Sequence, residues 1–308
     1  MSATLAEAHA ELNAAFDTYV KSRETLGLFP KQRLTTAESV MENWAMICEN
    51  VQESDTCVAD FIRMFVDKKL GSEEDAQSIL KSMKAIASRP IQQHDVKWTV
   101  KIKGEIATYI INGVYRFAID KERYYALRNI CAKSGDEIDA NVRIVTCLLK
   151  YGTIFGDHRQ LSAHRNLYQK WFNEGYDVEG MSSALNSQIL MVGGNDFCSL
   201  YPNIEKVFGS IGSFFETDFT GRKCVVHPPR IAEVIQKSID YCVDQLKTRK
   251  CAFKIIIYYQ DEIEQLREKC GNFFISSEEV PTYSEDFRTG KSFPFGRLKT
   301  NVVTLSSF

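Results

Sequence analysis

The chain has 308 residues, 44% of them apolar and 25% charged, with a formal net charge of −2. That balance excludes an intrinsically disordered chain, and the absence of a net positive charge excludes a protein that coats nucleic acid by bulk electrostatics. No apolar run reaches the ~20 residues of a membrane-spanning helix, so no membrane role is expected.

Nine cysteines (Cys48, Cys57, Cys131, Cys147, Cys198, Cys224, Cys242, Cys251 and Cys270) are spread without close pairs. They read as free thiols of a reducing compartment, nucleus or cytoplasm. Without a C-x-x-C pair or a clustered His/Cys set, no metal site is expected, and His158 and His164 read as surface or capping residues.

In chain order, Leu5, Ala8, Leu12, Phe16 and Val20 recur at helical spacing, and Thr35 with Glu38 three residues on fits a capping box. Further helices are expected over Val58–Leu70 and Asp75–Ile86, with Gly71 and Ser72 as stop and restart. The period then changes. Val96, Trp98, Val100 and Ile102 alternate with polar residues, as on a half-buried strand. Lys103-Gly104 and Asn112-Gly113 are turn dipeptides, the second expected as a type I′ hairpin between strands 107–111 and 114–119. Asp120 is placed to cap a helix running to Cys131. Another is expected from Ile138 to Tyr151, ended by Gly152 and Gly156.

Beyond residue 175 the pattern is α/β. Lys223–Val226 is a short apolar strand followed by His227-Pro228-Pro229. Ile231, Val234, Ile235, Ile239, Cys242, Val243 and Leu246 then fit one helix face. Phe253–Tyr259 reads as a strand, Glu262–Lys269 as a helix and Asn301–Phe308 as a closing strand.

A strand that runs through Pro-Pro into a helix is the setting of the adenine amino-methyltransferase signature, an Asn or Asp followed by two prolines and an aromatic residue. The exocyclic amine of adenine is a poor nucleophile, so the Asn or Asp oxygen and the first proline carbonyl orient it while the aromatic ring stacks on the base. The runs Cys198-Ser199-Leu200-Tyr201-Pro202-Asn203, Phe208-Gly209-Ser210-Ile211-Gly212-Ser213 and His227-Pro228-Pro229-Arg230 resemble, in composition and spacing, those of the cap-specific adenosine N6-methyltransferase family, the phosphorylated-CTD-interacting factors. The resemblance covers residues 120–308 and includes no WW module. It implies an α/β fold, a Rossmann-like class I methyltransferase domain over residues 134–308, behind an N-terminal helical region with a small β meander over residues 1–133.

The resemblance also implies S-adenosyl-L-methionine as cofactor. Phe208, Gly209, Ser210 and Gly212 match the family's cofactor run, and Ser183 and Asn186 match its Ser-Pro-Leu-Asn segment through Ser183-Ala184-Leu185-Asn186. The catalytic tetrapeptide carries over to His227, Pro228, Pro229 and Arg230, altered at two of four positions. A neutral imidazole accepts at one nitrogen only, and a protonated one not at all. Arg230 brings a fixed cation to a helix N-terminus that disfavours cations and faces a sulfonium.

Basic groups occur at Lys97, Lys101 and Lys103, at Arg222-Lys223, at Lys247–Lys250, and along the Gly- and Phe-containing stretch holding Arg288, Lys291, Arg297 and Lys299. Each group alone is ordinary solvated surface. Given the resemblance, Arg222, Lys223, Arg288, Lys291 and Arg297 are the expected RNA contacts, with capped mRNA as the implied target. Three functional expectations follow, in order. The first is a non-catalytic subunit, a pseudoenzyme that binds RNA or supports an active methyltransferase partner in a heterodimer. The second is an active cap adenosine N6-methyltransferase. The third is a structural interaction protein without nucleotide binding.

Overall fold

The computed structural model describes residues 62–67, 70–87, 97–113, 115–135, 137–155, 161–229, 232–257, 260–280, 283–286, 288–289, 291–294 and 300–308. The two helices expected before residue 58, together with His158, Arg230 and Arg297, lie outside them. Two compact units are distinguished, Met1–Lys97 with Leu149–Asp157, and Trp98–Leu148 with His158–Phe308.

In the first unit a helical stretch over residues 62–67 stops before Gly71, and α1 spans Glu73–Ala87. Ser72 restarts the chain as a capping box: its Oγ accepts from Asp75 N at 3.2 Å while its own N–H donates to Asp75 Oδ2 at 3.0 Å. Phe65, Leu70, Ala76, Ile79 and Leu80 are buried.

The second unit opens on an antiparallel meander, β1 (Trp98–Lys103), β2 (Ile106–Ile111) and β3 (Tyr115–Asp120). The two turns differ from the expected assignment. Lys103 pairs with Ile106, so Gly104-Glu105 is a two-residue hairpin with Gly104 at φ 59°; Ile111 pairs with Tyr115, so the Asn112-Gly113 turn has three residues and is not a two-residue type I′ hairpin. Period-two alternation buries Ala107, Tyr109 and Ile111 on one face.

Asp120 caps α2 (Lys121–Ser134), its Oδ2 accepting from Arg123 N at 3.1 Å, and Gly135 ends the helix in the left-handed region at φ 72°. Tyr109 Oη and Tyr124 Oη both donate to Asn141 Oδ1, at 2.8 and 3.3 Å, tying meander, α2 and α3 (Ala140–Phe155) together. Gly152 sits inside α3 and does not end it; a single helical glycine costs only ~1 kcal/mol, which the adjoining turns outweigh.

Next come β4 (Leu161–Ala163) and α4 (Arg165–Asn173), capped by His164, whose Nδ1 accepts from Asn166 N at 3.1 Å. The main sheet is built from β5 (Val178–Ser182), β6 (Asp196–Ser199), β7 (Ser210–Gly212), β8 (Lys223–Val226), β9 (Ala252–Ile257), β10 (Phe274–Val280) and β13 (Thr300–Ser306), in the spatial order β7-β6-β5-β8-β9-β13-β10. The single-turn α5 (Pro202–Glu205) lies between β6 and β7, α6 (Ala232–Thr248) between β8 and β9, and α7 (Gln260–Cys270) between β9 and β10. β5 to β9 are mutually parallel; β13 is antiparallel to both β9 and β10. Numbered along the sheet this is 3-2-1-4-5-7-6 with the seventh strand reversed, the Rossmann-like arrangement of class I methyltransferases. β11 (Tyr283–Asp286) pairs with β12 (Ser292–Pro294) and β4 in a separate small sheet.

Both faces of the main sheet are covered. Cys224, Val226, Phe253, Ile255, Ile257, Val303 and Leu305 join α6 and α7 on one side, and the intervening Val225, Ala252, Ile256 and Val302 join Tyr168 and Trp171 of α4 on the other. The connections leaving β5, β6 and β7 carry only short turns, over Leu190–Val192, Pro202–Phe208 and Phe214–Glu216. Helices α2 and α4, which precede the sheet in sequence, pack on those turns instead.

Cys131, Cys147, Cys198, Cys224, Cys242, Cys251 and Cys270 are free thiols and buried. Burial pushes Cys198 up to about 12 and Cys270 to about 11, and raises Cys147, Cys224, Cys242 and Cys251 as well. Labelling the native protein with a thiol reagent near pH 8, followed by peptide mapping, is expected to leave these seven unmodified until denaturant is added. Rapid native labelling of Cys198 or Cys224 would contradict the packing.

Candidate functional site

In a doubly wound sheet ligands bind at the carboxyl ends of the parallel strands, at the point where strand order reverses. Here that point lies between β5 and β8. β5 is Val178-Glu179-Gly180-Met181-Ser182 and each residue has a local reason. Gly180 is required because a Cβ there would stand 2.7 Å from Phe214 Cδ2, so the aromatic ring packs directly on the strand backbone. Met181 adopts φ 63°, a left-handed conformation that side chains other than glycine rarely take, where β5 slips register against β6 between Glu179 and Ser182. Its Sδ lies 3.3 Å from Ser238 Oγ of α6.

Glu179 is buried at the base of the following loop. Its Oε2 accepts from Ser187 Oγ at 2.8 Å, Gln188 N at 2.8 Å and Ile189 N at 3.1 Å. Burial raises its carboxyl above the usual carboxylate range, opposed by those hydrogen bonds. The rest of the loop is also internally bonded. Ser183 N donates to Asn186 Oδ1 (2.8 Å), Ala184 N to Glu205 Oε1 (2.6 Å), Asn186 N and Ser187 N to Ser183 O (3.2 and 2.8 Å), and Leu190 N to Ser187 Oγ (3.4 Å). From α2, the buried Arg123 places Nη1 2.6 Å from Ser187 O. No glycine lies in residues 181–190.

The neighbouring strand ends complete the edge. Ser182 is level with Ser199, the last residue of β6, whose Oγ lies 2.7 Å from Ser210 Oγ at the start of β7. Gly180 is level with Val226, so half-buried His227 follows one residue beyond, ahead of buried Pro228 and half-buried Pro229. Ser183, Asn186 and His227 are therefore grouped at the carboxyl edge, on the first residues after β5 and β8, while Ser210 sits further back, level with Phe197, and reaches it only through Ser199. Phe208 and Gly209 are packing residues at the turn before β7. Phe208 is fully buried, and a Cβ on Gly209 would come within 1.9 Å of Asn195 O. Gly212 closes β7 at φ 139°.

Of the expected basic contacts, Arg222 and Lys223 are away from this edge, whereas Arg288 and Lys291 lie in the segment between β10 and β13, which leaves and re-enters the sheet beside the carboxyl end of β9. Arg222 and Lys223 lie at the amino end of β8, the opposite side of the sheet. Arg222 Nη2 is 2.7 Å from Asp196 Oδ2 and 3.6 Å from Asp177 Oδ1, and Lys223 Nζ donates to Glu174 O at 3.0 Å above the Tyr176 ring. Arg288 is in the β11–β12 turn and Lys291 just before β12. Sequence reasoning did not single out Glu179, Met181, Glu205 or Arg123. The only signal was for Glu179, a carboxylate immediately before the Ser-x-x-Asn turn.

A family model described as "Phosphorylated CTD interacting factor 1 WW domain" matches residues 122–290, more than half of the chain. The chain belongs to the phosphorylated CTD interacting factor 1 family. The family's matched span takes in α2 through β11 and all but one strand of the main sheet, a methyltransferase-type domain and not a small WW module. Among solved structures, the chain is similar to a SAM-dependent O-methyltransferase from Thermotoga maritima, at 12% identity over 47% of this chain and 64% of that one, TM-score 0.29. It is similar also to a protein assigned as an O-methyltransferase from Nostoc punctiforme, at 11% identity over 89% and 95% of the two chains, TM-score 0.30. The chain thus spans less than two thirds of the Thermotoga protein, and both superpositions are loose; strand order, not these likenesses, carries the fold. No curated protein matches the sequence.

Proposed function

We propose that the chain is a non-catalytic member of its family, a pseudoenzyme that binds RNA or supports an active methyltransferase partner. The observation that carries this reading is His227. It stands one residue past the end of β8, where the family resemblance calls for an Asn or Asp to accept the adenine amine, and an imidazole cannot accept while its proton occupies the facing nitrogen.

The described residues do not fit S-adenosylmethionine either. A Rossmann edge holds a nucleoside cofactor through a glycine-containing first turn and a carboxylate after the second strand that takes the ribose hydroxyls. Here the first turn has no glycine, its amides at 183, 184 and 186–190 are spent on acceptors within the chain, and β6 ends in Ser199, a hydroxyl paired with Ser210 where a carboxylate would be needed. S-adenosylmethionine would supply an electrophilic methyl group where it is bound. Isolated protein incubated with methyl-labelled S-adenosylmethionine and capped RNA beginning in adenosine is expected to give no labelled RNA. Transfer above a no-protein control, abolished by H227A, would overturn the reading.

A further inference from the structure

Among the described residues, one face of the meander is exposed or half-buried apart from Asp120. Register places Thr99, Ile110 and Arg116 in one row, Lys101, Thr108 and Ala118 in the next, and Lys103, Ile106 and Asp120 in the third, all opposite the face that buries Ala107 and Tyr109. Lys101, Lys103 and Arg116 are exposed and make no ion pair among the described residues. The one acid in these rows, Asp120, is committed to capping α2. In a chain whose net charge is −2, three uncompensated cations on one small sheet are a local excess.

The face also has a direction. Its third row is the end of the meander from which α2 leaves, and three residues beyond Asp120 the Arg123 guanidinium touches Ser187 in the loop at the carboxyl edge of the main sheet. Successive same-face residues of a strand are about 6.8 Å apart, so Lys101 and Lys103 offer two cations in line with the strand, running toward that edge. Side chains at this spacing suit successive phosphates of an extended strand.

We propose that the Lys101–Lys103–Arg116 face of the meander binds the phosphate backbone of single-stranded RNA and leads it toward the carboxyl edge of the sheet. This rests on the RNA-binding part of the function proposed above, and it relocates the phosphate contacts from Arg222 and Lys223, which are spent on Asp196, Asp177 and Glu174.

The test is fluorescence anisotropy of the full chain with a labelled single-stranded RNA of about 12 nucleotides, across about 50–200 mM salt. Each phosphate contact to a single strand contributes about 0.7 to the slope of log K against log salt. The variant K101Q/K103Q/R116Q is expected to lose about 2 from that slope, with K101R/K103R unchanged. Wild-type binding with an unaltered slope in the triple variant would overturn the surface while leaving RNA binding intact; no wild-type binding would overturn both. Displacement of the RNA by polyglutamate at equal charge would instead assign the face to an acidic protein segment, and overturn the proposal.

Discussion

Replacing Gly209 by alanine is expected to lower stability by about 4 kcal/mol or to prevent folding. The added Cβ would stand 1.9 Å from Asn195 O, a backbone atom that cannot swing aside, and φ at Gly209 is 106°. The Gly209 carbonyl also accepts from Phe197 N at 3.2 Å, so any shift pulls on β6 and β7 together. Gly221→Ala is the control. Its φ is also positive, at 75°, but a Cβ there meets nothing within 4 Å, so only the left-handed penalty of about 1–2 kcal/mol applies. Urea unfolding followed by circular dichroism separates the two, and equal midpoint shifts would contradict the close approach.

Glu179→Ala is expected to cost about 3 kcal/mol or more. It leaves Ser187 Oγ and the Gln188 and Ile189 amides without their shared acceptor in a buried site, where each orphaned donor costs about 1–3 kcal/mol. Glu179→Gln keeps one acceptor oxygen and isolates the charge. Because burial raises the carboxyl above its unfolded value, the native state holds the proton more tightly than the unfolded chain. Its contribution is complete below the unfolded value near ~4.3 and is lost as pH rises toward the folded one. The stability of wild type relative to E179Q should therefore fall with rising pH above that point. A relative stability that rises with pH would show instead that the loop's hydrogen bonds outweigh burial.

Elements with strong periodicity were legible in the sequence. Lys223–Val226 is β8 at the expected bounds, and Val234, Ile235, Ile239, Cys242, Val243 and Leu246 are the buried face of α6. Asp120 and His164 cap helices as their types suggest. The strands that build the site were not legible, because β5 contains a buried acid, a glycine forced by Phe214 and a left-handed methionine, none of which favours a strand on its own. β6 and β7 have four and three residues, too short for any period. The turn Ser183–Asn186 was legible only through the family resemblance. Its internal hydrogen bonds depend on Glu179 and on Glu205, 21 residues further along than Ala184, a pairing that local pattern does not carry. Arg222 and Lys223 read as an open basic pair because Asp177 and Asp196, which flank Arg222 across neighbouring strands, are distant in sequence.

Under the proposed function, this member of the family keeps the sheet without using its carboxyl edge for methyl transfer. Calorimetric titration of S-adenosylmethionine into the purified chain tests it most directly, since cofactor binding precedes every catalytic reading and requires no RNA. No binding tighter than about 1 mM, equivalent to about −4 kcal/mol, is expected. Micromolar binding, weakened by substitution of Asn186 or His227, would contradict it and make the chain an active methyltransferase candidate.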